Sequence, residues 1–173
     1  MGIRYGLYFG TLIEAYLLNL KKIMIENYLI SESLSGLVVF EISEMEFCTD
    51  IKNVSAIINP NEINQPSLFA SKNPKIQIND LVIPIIDIHN YFGFEHKSQS
   101  KDTRIVLVEI QDKVFGFLVE RVKEIFSMSK GFKSKLKFSA GYENDYLLGK
   151  LIYESRQFLI PDFGKIAEIN EFN

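Results

Sequence analysis

LVIPIIDI, residues 81–88, is an aliphatic run interrupted by Pro84 and carrying Asp87 just before its end. Its length and its branched side chains suit a strand and fall short of a buried helix. Pro84 has no backbone N–H to give to a ladder, so the strand is expected at a sheet edge, a bulge or a barrel corner. Asp87, followed by IHNYFG, stands where a carboxylate can accept the free N–H groups of a short helical turn. Asp162, followed by FGKIAE, has the same setting.

On both sides of this run the chain reads as short strands and tight turns. LVVFEIS, SEM and EFCTDI form one expected hairpin, and IVLVEIQ, QDK and KVFGFLV a second. The two are copies 68 positions apart: Val38 meets Val106, Glu41 Glu109, Ile42 Ile110, Phe47 Phe115, Val54 Val122 and Ile57 Ile125. Further along, KIQINDLVIPIIDIHNYFG parallels YLLGKLIYESRQFLIPDFGKI, with Asp87 meeting Asp162 at an offset of 75. Such doubling predicts two similar antiparallel barrels of about five strands each, sharing an interface, with few bare edges. Val108, Phe115 and Phe117 are expected to fill the second.

The first thirty or so residues differ. Ile3, Leu7, Ile13, Leu17, Leu20 and Met24 recur at helical intervals, with Arg4, Thr11, Glu14, Lys21 and Lys22 between them. This is an expected amphipathic helix, followed by the linker SESLSG, so that residues 1–36 are helix and linker and 37–170 the β body. The helix suits packing on the domain, a partner, or a membrane surface in peripheral association. Met24 is an alternative first residue that would leave it out. With 173 residues, 47% apolar content, net charge −3 and one cysteine, a packed globular body in a reducing cytoplasm is expected, with no nucleic acid as partner.

Catalytic chemistry finds little to stand on. His89 and His96 are the neutral-pH acid–base candidates, with no evident partners, and Asp87 with His89 would supply only two metal ligands. Cys48 meets Gly116 in the repeat and reads as a small residue inside a strand. No nucleophile elbow, phosphate loop or dinucleotide fingerprint occurs, and no metal or cofactor is expected. KGFKSKLKF, residues 130–138, interleaves four lysines with two phenylalanines, as a solvated loop anchored by its apolar residues would.

From residue 37 to about 166 the chain resembles the CheW family of bacterial chemotaxis adaptors. The likeness rests on FEISEMEFCTDIKNVSAII, on LVIPIIDI followed by YFG, on DTRIVLVEIQDKVFGFLVERVKEIF and on DYLLGKLIYESRQFLIPDF, in that order. It implies a mainly β fold of two intertwined SH3-like five-stranded antiparallel barrels with short helices. It also implies a non-enzymatic cytoplasmic adaptor that docks the regulatory domain of a CheA-like histidine kinase and the cytoplasmic tip of a chemoreceptor. By position, the contacts would come from Asp50, Lys52, Asn53, Ser55, Ile57 and Ile58, and from Gln77, Asn79 and Asp80. The family's Asn-Leu-Arg-Gly turn is here QIND, so that neutral Asn79 stands in place of an arginine able to grip a carboxylate. His89 occupies a place where the family often has a basic side chain. A second reading is a CheW-like scaffold that the N-terminal helix recruits to a membrane-proximal pilus or gliding assembly.

Overall fold

The computed structural model describes residues 33–63, 73–95, 98–140 and 144–171. The expected N-terminal helix and His96 lie outside them. Eleven strands are present among these residues: β1 (Gly36–Ile42), β2 (Met45–Asp50), β3 (Val54–Ile58), β4 (Lys75–Ile78), β5 (Leu81–Asp87), β6 (Arg104–Ile110), β7 (Lys113–Val119), β8 (Arg121–Ser127), β9 (Leu136–Ala140), β10 (Leu147–Tyr153) and β11 (Arg156–Pro161). Two helices accompany them, α1 (Lys130–Lys133) and α2 (Phe163–Glu171).

Both expected hairpins form, β1–β2 and β6–β7. Their turns place two successive residues in the left-handed region, Ser43 and Glu44 at φ 52° and 67°, Gln111 and Asp112 at 50° and 63°. Turns of this kind match the twist of the flanking strands, and they normally draw Asn and Gly. Here the register of the six- and seven-residue strands on either side imposes the conformation on less willing residues.

The sheets do not follow the repeat. One has six strands in the order β8-β1-β2-β11-β10-β9, the other five in the order β3-β6-β7-β5-β4. The hairpin of the first copy therefore joins β8 to β11 of the second, and the second copy's hairpin joins β3 to β5 of the first. After each hairpin the chain crosses to the opposite sheet, at residues 51–53 and at Glu120. Two all-antiparallel five-stranded sheets, as expected from the sequence, are corrected in two respects. One sheet has a sixth strand, and each holds a parallel pair: β11 beside β2, with Leu159 opposite Phe47, and β5 beside β7, with Ile85 opposite Gly116. Hairpins impose antiparallel pairing, whereas these contacts join strands linked through long connections.

Pro84 sits where β5 changes partner. It is the last residue paired with β4, opposite Lys75, and Ile85 is the first paired with β7. The corner expected of a residue without an N–H is at this handover. The change of partner also divides the strand's burial: Ile83 and Ile85 pack inside the five-stranded sheet, Ile86 and Ile88 between the sheets.

Three apolar clusters result. One lies inside the six-stranded sheet around Leu37, Val39, Cys48, Leu151 and Phe158, and another inside the five-stranded sheet around Ile76, Ile83, Ile85, Ile105 and Leu107. Between the sheets, Phe40, Ile42 and Phe47 meet Val106, Phe117 and Val119. Val108, Phe115 and Phe117 belong to this shared cluster and not to the interior of the second sheet, because they point to the opposite face from Ile105, Leu107 and Leu118. Helix α2 plugs the shared cluster with Phe163, Ile166 and Ala167. Its first turn is held as expected, the Lys165 N–H donating to Asp162 Oδ1 over 3.0 Å.

The Phe163 ring lies 4.2 Å from Phe117 of one sheet and 6.2 Å from Phe40 of the other, centroid to centroid. Phe163→Ala should cost about 3–5 kcal/mol in chemical denaturation, as a single transition with both sheets lost together.

Candidate partner-binding surface

The residues expected to contact partners fall in two places. At the first crossing, Asp50 is buried and spoken for: both its carboxylate oxygens lie 3.3 Å from the Ser35 N–H, Oδ1 accepts the Lys52 N–H over 3.1 Å, and Oδ2 pairs with Lys52 Nζ at 3.3 Å. It caps the tight turn 51–53 and has no face for a partner. Lys52, Asn53 and Ser55 are exposed. Ser55 is the extra residue of a bulge, since Val54 and Ala56 oppose the neighbouring Val108 and Leu107. Ile57 and Ile58 are half-buried, Ile58 against the cluster inside the five-stranded sheet.

The second place is the β4–β5 turn. Gln77, Asn79 and Asp80 are all exposed, and Gln77 Nε2 donates to the Asn79 carbonyl over 3.3 Å. Asn79 has φ 53°, a left-handed conformation that Asn takes more readily than most residues. Next to them Leu81 and Val82 are 61% and 62% exposed. The isoleucines of the aliphatic run, from Ile83 onward, are buried, and its first two residues are not. In a strand they point to opposite sides, so their joint exposure means that this hairpin end projects beyond the body with both faces wet. In pairing order β3 and β4 are opposite edges of the sheet, yet Ile58 and Ile78 pack on the same cluster, so the sheet curls.

The equivalent turn in the second copy is closed. Glu154, the counterpart of Asn79, has φ 55° and pairs with Lys135 at 2.9 Å. Arg156, the counterpart of Leu81, grips Glu46 through Nη2 at 2.9 Å and Nε at 3.1 Å, and also bonds Glu124. Its guanidinium lies 4.8 Å from the Phe158 ring centroid. Lys123 and Arg121 extend this ladder to Glu46 and Glu41 at 2.7 Å each. Arg156 foremost, with Lys123, holds the Glu46 carboxyl below its usual range against the opposing effect of burial.

Elsewhere the sequence expectations are partly redrawn. The 130–138 segment is a short helix and an edge strand, not a loop, and Phe132 and Leu136 anchor it as expected. Cys48 is fully buried, and burial pushes its thiol well above the usual value. His89 does have partners, described below. Among the described residues no three His, Cys, Asp or Glu side chains converge as for a metal ion, and no helix is long and apolar enough to cross a membrane.

A family model described as CheW-like domain matches residues 36–171. The chain belongs to the CheW-like domain family. It is 25% identical over 146 residues to a chemotaxis protein CheW of Helicobacter pylori, covering 77% of this chain and 86% of that one. To a chemotaxis protein CheW of Rhizobium meliloti it is 22% identical over 137 residues, covering 78% and 88%. Among solved structures it resembles the scaffolding protein TtCheW from Thermoanaerobacter tengcongensis, with a TM-score of 0.63 and 22% identity over 79% of this chain and 94% of that chain. The fold is thus the CheW fold.

The burial of Asp50 separates it from its neighbours in a way that denaturation can read. Asp50→Ala should lose about 1–3 kcal/mol of stability, since two backbone donors are left without their acceptor. Asp80→Ala should stay within about 0.5 kcal/mol of the parent.

Proposed function

We propose that this protein is a non-enzymatic cytoplasmic adaptor that couples chemoreceptors to a CheA-like histidine kinase. The curled sheets act as two SH3-like barrel subdomains within a body spanning 37–170, and the β4–β5 end of the five-stranded sheet is the principal docking surface. One observation carries this reading: Leu81 and Val82 stand exposed beside Asn79 and Asp80, while in the second copy the counterparts of Asn79 and Leu81, Glu154 and Arg156, are engaged in ion pairs. Two adjoining aliphatic side chains with a polar rim can anchor an interface of modest size, as a reversible coupling protein requires. Asn53 and Ser55 at the first crossing extend the contact; Asp50 contributes by holding that corner in shape. Membership of the CheW-like family and the names of the chemotaxis relatives support the choice of partners. With Asn79 in the turn, the contact relies on apolar burial more than on charge, so its affinity is expected to vary little with salt.

The test is binding of the full chain to the kinase regulatory domain and to a receptor-tip fragment, measured by titration calorimetry. The double variant Leu81→Asp with Val82→Asp should keep its unfolding midpoint and bind at least one of these partners more than about tenfold more weakly, a loss of about 1.4 kcal/mol or more. Unchanged binding by the variant would remove the β4–β5 end as the docking surface. Failure of the parent chain to bind either fragment would remove the chemotaxis reading and favour the membrane-proximal or motility assembly instead.

A further inference from the structure

The second crossing, at Glu120, is held in a different way from the first. His89 is buried, and both its ring nitrogens face carboxylates: Nδ1 lies 2.6 Å from Asp87 Oδ1 at the end of β5, and Nε2 lies 3.3 Å from Glu120 Oε1. The same Glu120 Oε1 accepts the Ser43 N–H over 2.7 Å, and the Glu120 N–H donates to the Glu41 carbonyl over 3.1 Å. His89 thereby reaches from the five-stranded sheet, through the residue at which the chain changes sheets, to the β1–β2 turn of the six-stranded sheet. The copy-related positions hold Gly164 in place of His89 and Lys52 in place of Glu120, so the first crossing has no such group.

An imidazole can donate to two carboxylates only when both nitrogens carry protons. A neutral ring would turn a lone pair toward one of them. We propose that His89 is a proton-operated tie between the two sheets: protonated, it bridges Asp87 and Glu120 and fixes the β1–β2 turn through Glu120; deprotonated, it releases Glu120 and loosens the crossing.

The charged groups around the ring set the direction. Asp87 from β5 and Glu120 from the crossing face it directly, and Arg121 of β8, paired with Glu41, lies beyond Glu120. Burial opposes the charge on the ring, and the two carboxylates outweigh it, so the imidazole holds its proton above the ordinary value of 6.5. A cleft of about 110 Å³, lined by Ser98, Gln99, Ser100 and Thr103 alongside His89 and Glu120, adjoins the tie and offers a route by which the proton can leave. The cleft admits a few waters and is far below the size of a substrate pocket.

Because the folded state binds this proton more tightly than the unfolded chain does, the tie's contribution is complete below about pH 6.5 and is lost as pH rises through the folded value. The tie is tested on the full chain by following the single remaining imidazole of His96→Gln by NMR, and by comparing unfolding midpoints of the parent, His89→Gln and His89→Arg from pH 6 to 9. The imidazole should titrate above 6.5, and Ser43 amide protection should fall in step with it. The parent's midpoint should decline over the same range; His89→Arg should stay flat, and His89→Gln should lack the decline and start lower. An imidazole titrating at or below 6.5, or Ser43 protection that ignores its titration, would overturn the proposal. So would the same decline in His89→Gln as in the parent. Should His89→Gln fail to fold, the imidazole titration and Ser43 protection in His96→Gln decide alone.

Discussion

The hairpin strands of this protein are apolar on both faces, and neither sheet can keep both faces dry alone. In β1, Leu37 and Val39 fill the inside of one sheet while Phe40 and Ile42 press on the other. In β6, Ile105 and Leu107 point inward and Val106 and Val108 outward to the same shared cluster. Covering such strands requires a second sheet, and the protein supplies it by exchanging the strand after each hairpin. The crossings then become the points on which the arrangement of the two sheets depends. Helix α2 completes the cover, since its Phe163 touches a ring from each sheet.

The two halves are alike in pattern, and their contacts differ at the turns and at the crossings. At the turn before β11 the chain closes on itself through Glu154 with Lys135 and Arg156 with Glu46. At the matching turn before β5 it leaves two aliphatic side chains in water, at a cost in solubility that a docking role would explain. The crossings differ likewise: a buried Asp50 takes up backbone donors at one, and a buried histidine spans two carboxylates at the other. A copy freed from symmetric constraint can keep the fold with one set of contacts and leave another open to partners.

Much of this was legible in the residues. The hairpins, their turns, the repeat offset, the corner at Pro84, the cap by Asp162 and the inert Cys48 all follow from local pattern, because strand alternation, a missing N–H and a short polar side chain act within a few residues of themselves. The candidate surface was legible only in part. Gln77, Asn79 and Asp80, named through the family resemblance, stand exposed on a turn, while Asp50 is turned inward, and nothing in the run 81–88 sets Leu81 and Val82 apart from the buried residues that follow them. No local signal distinguishes an aliphatic residue at a projecting hairpin end from one inside a sheet.

The sequence by itself determined the two hairpins and the strand that carries Pro84, though not the edge strand at 136–140, and it showed that the chain is doubled and resembles the CheW-like fold. Only the tertiary structure decided which copy each strand pairs with, because the two copies carry nearly the same pattern and local sequence cannot choose between partners far along the chain. It alone also brought Glu120 to His89, thirty-one positions earlier, and turned a histidine without evident partners into a charged tie between sheets.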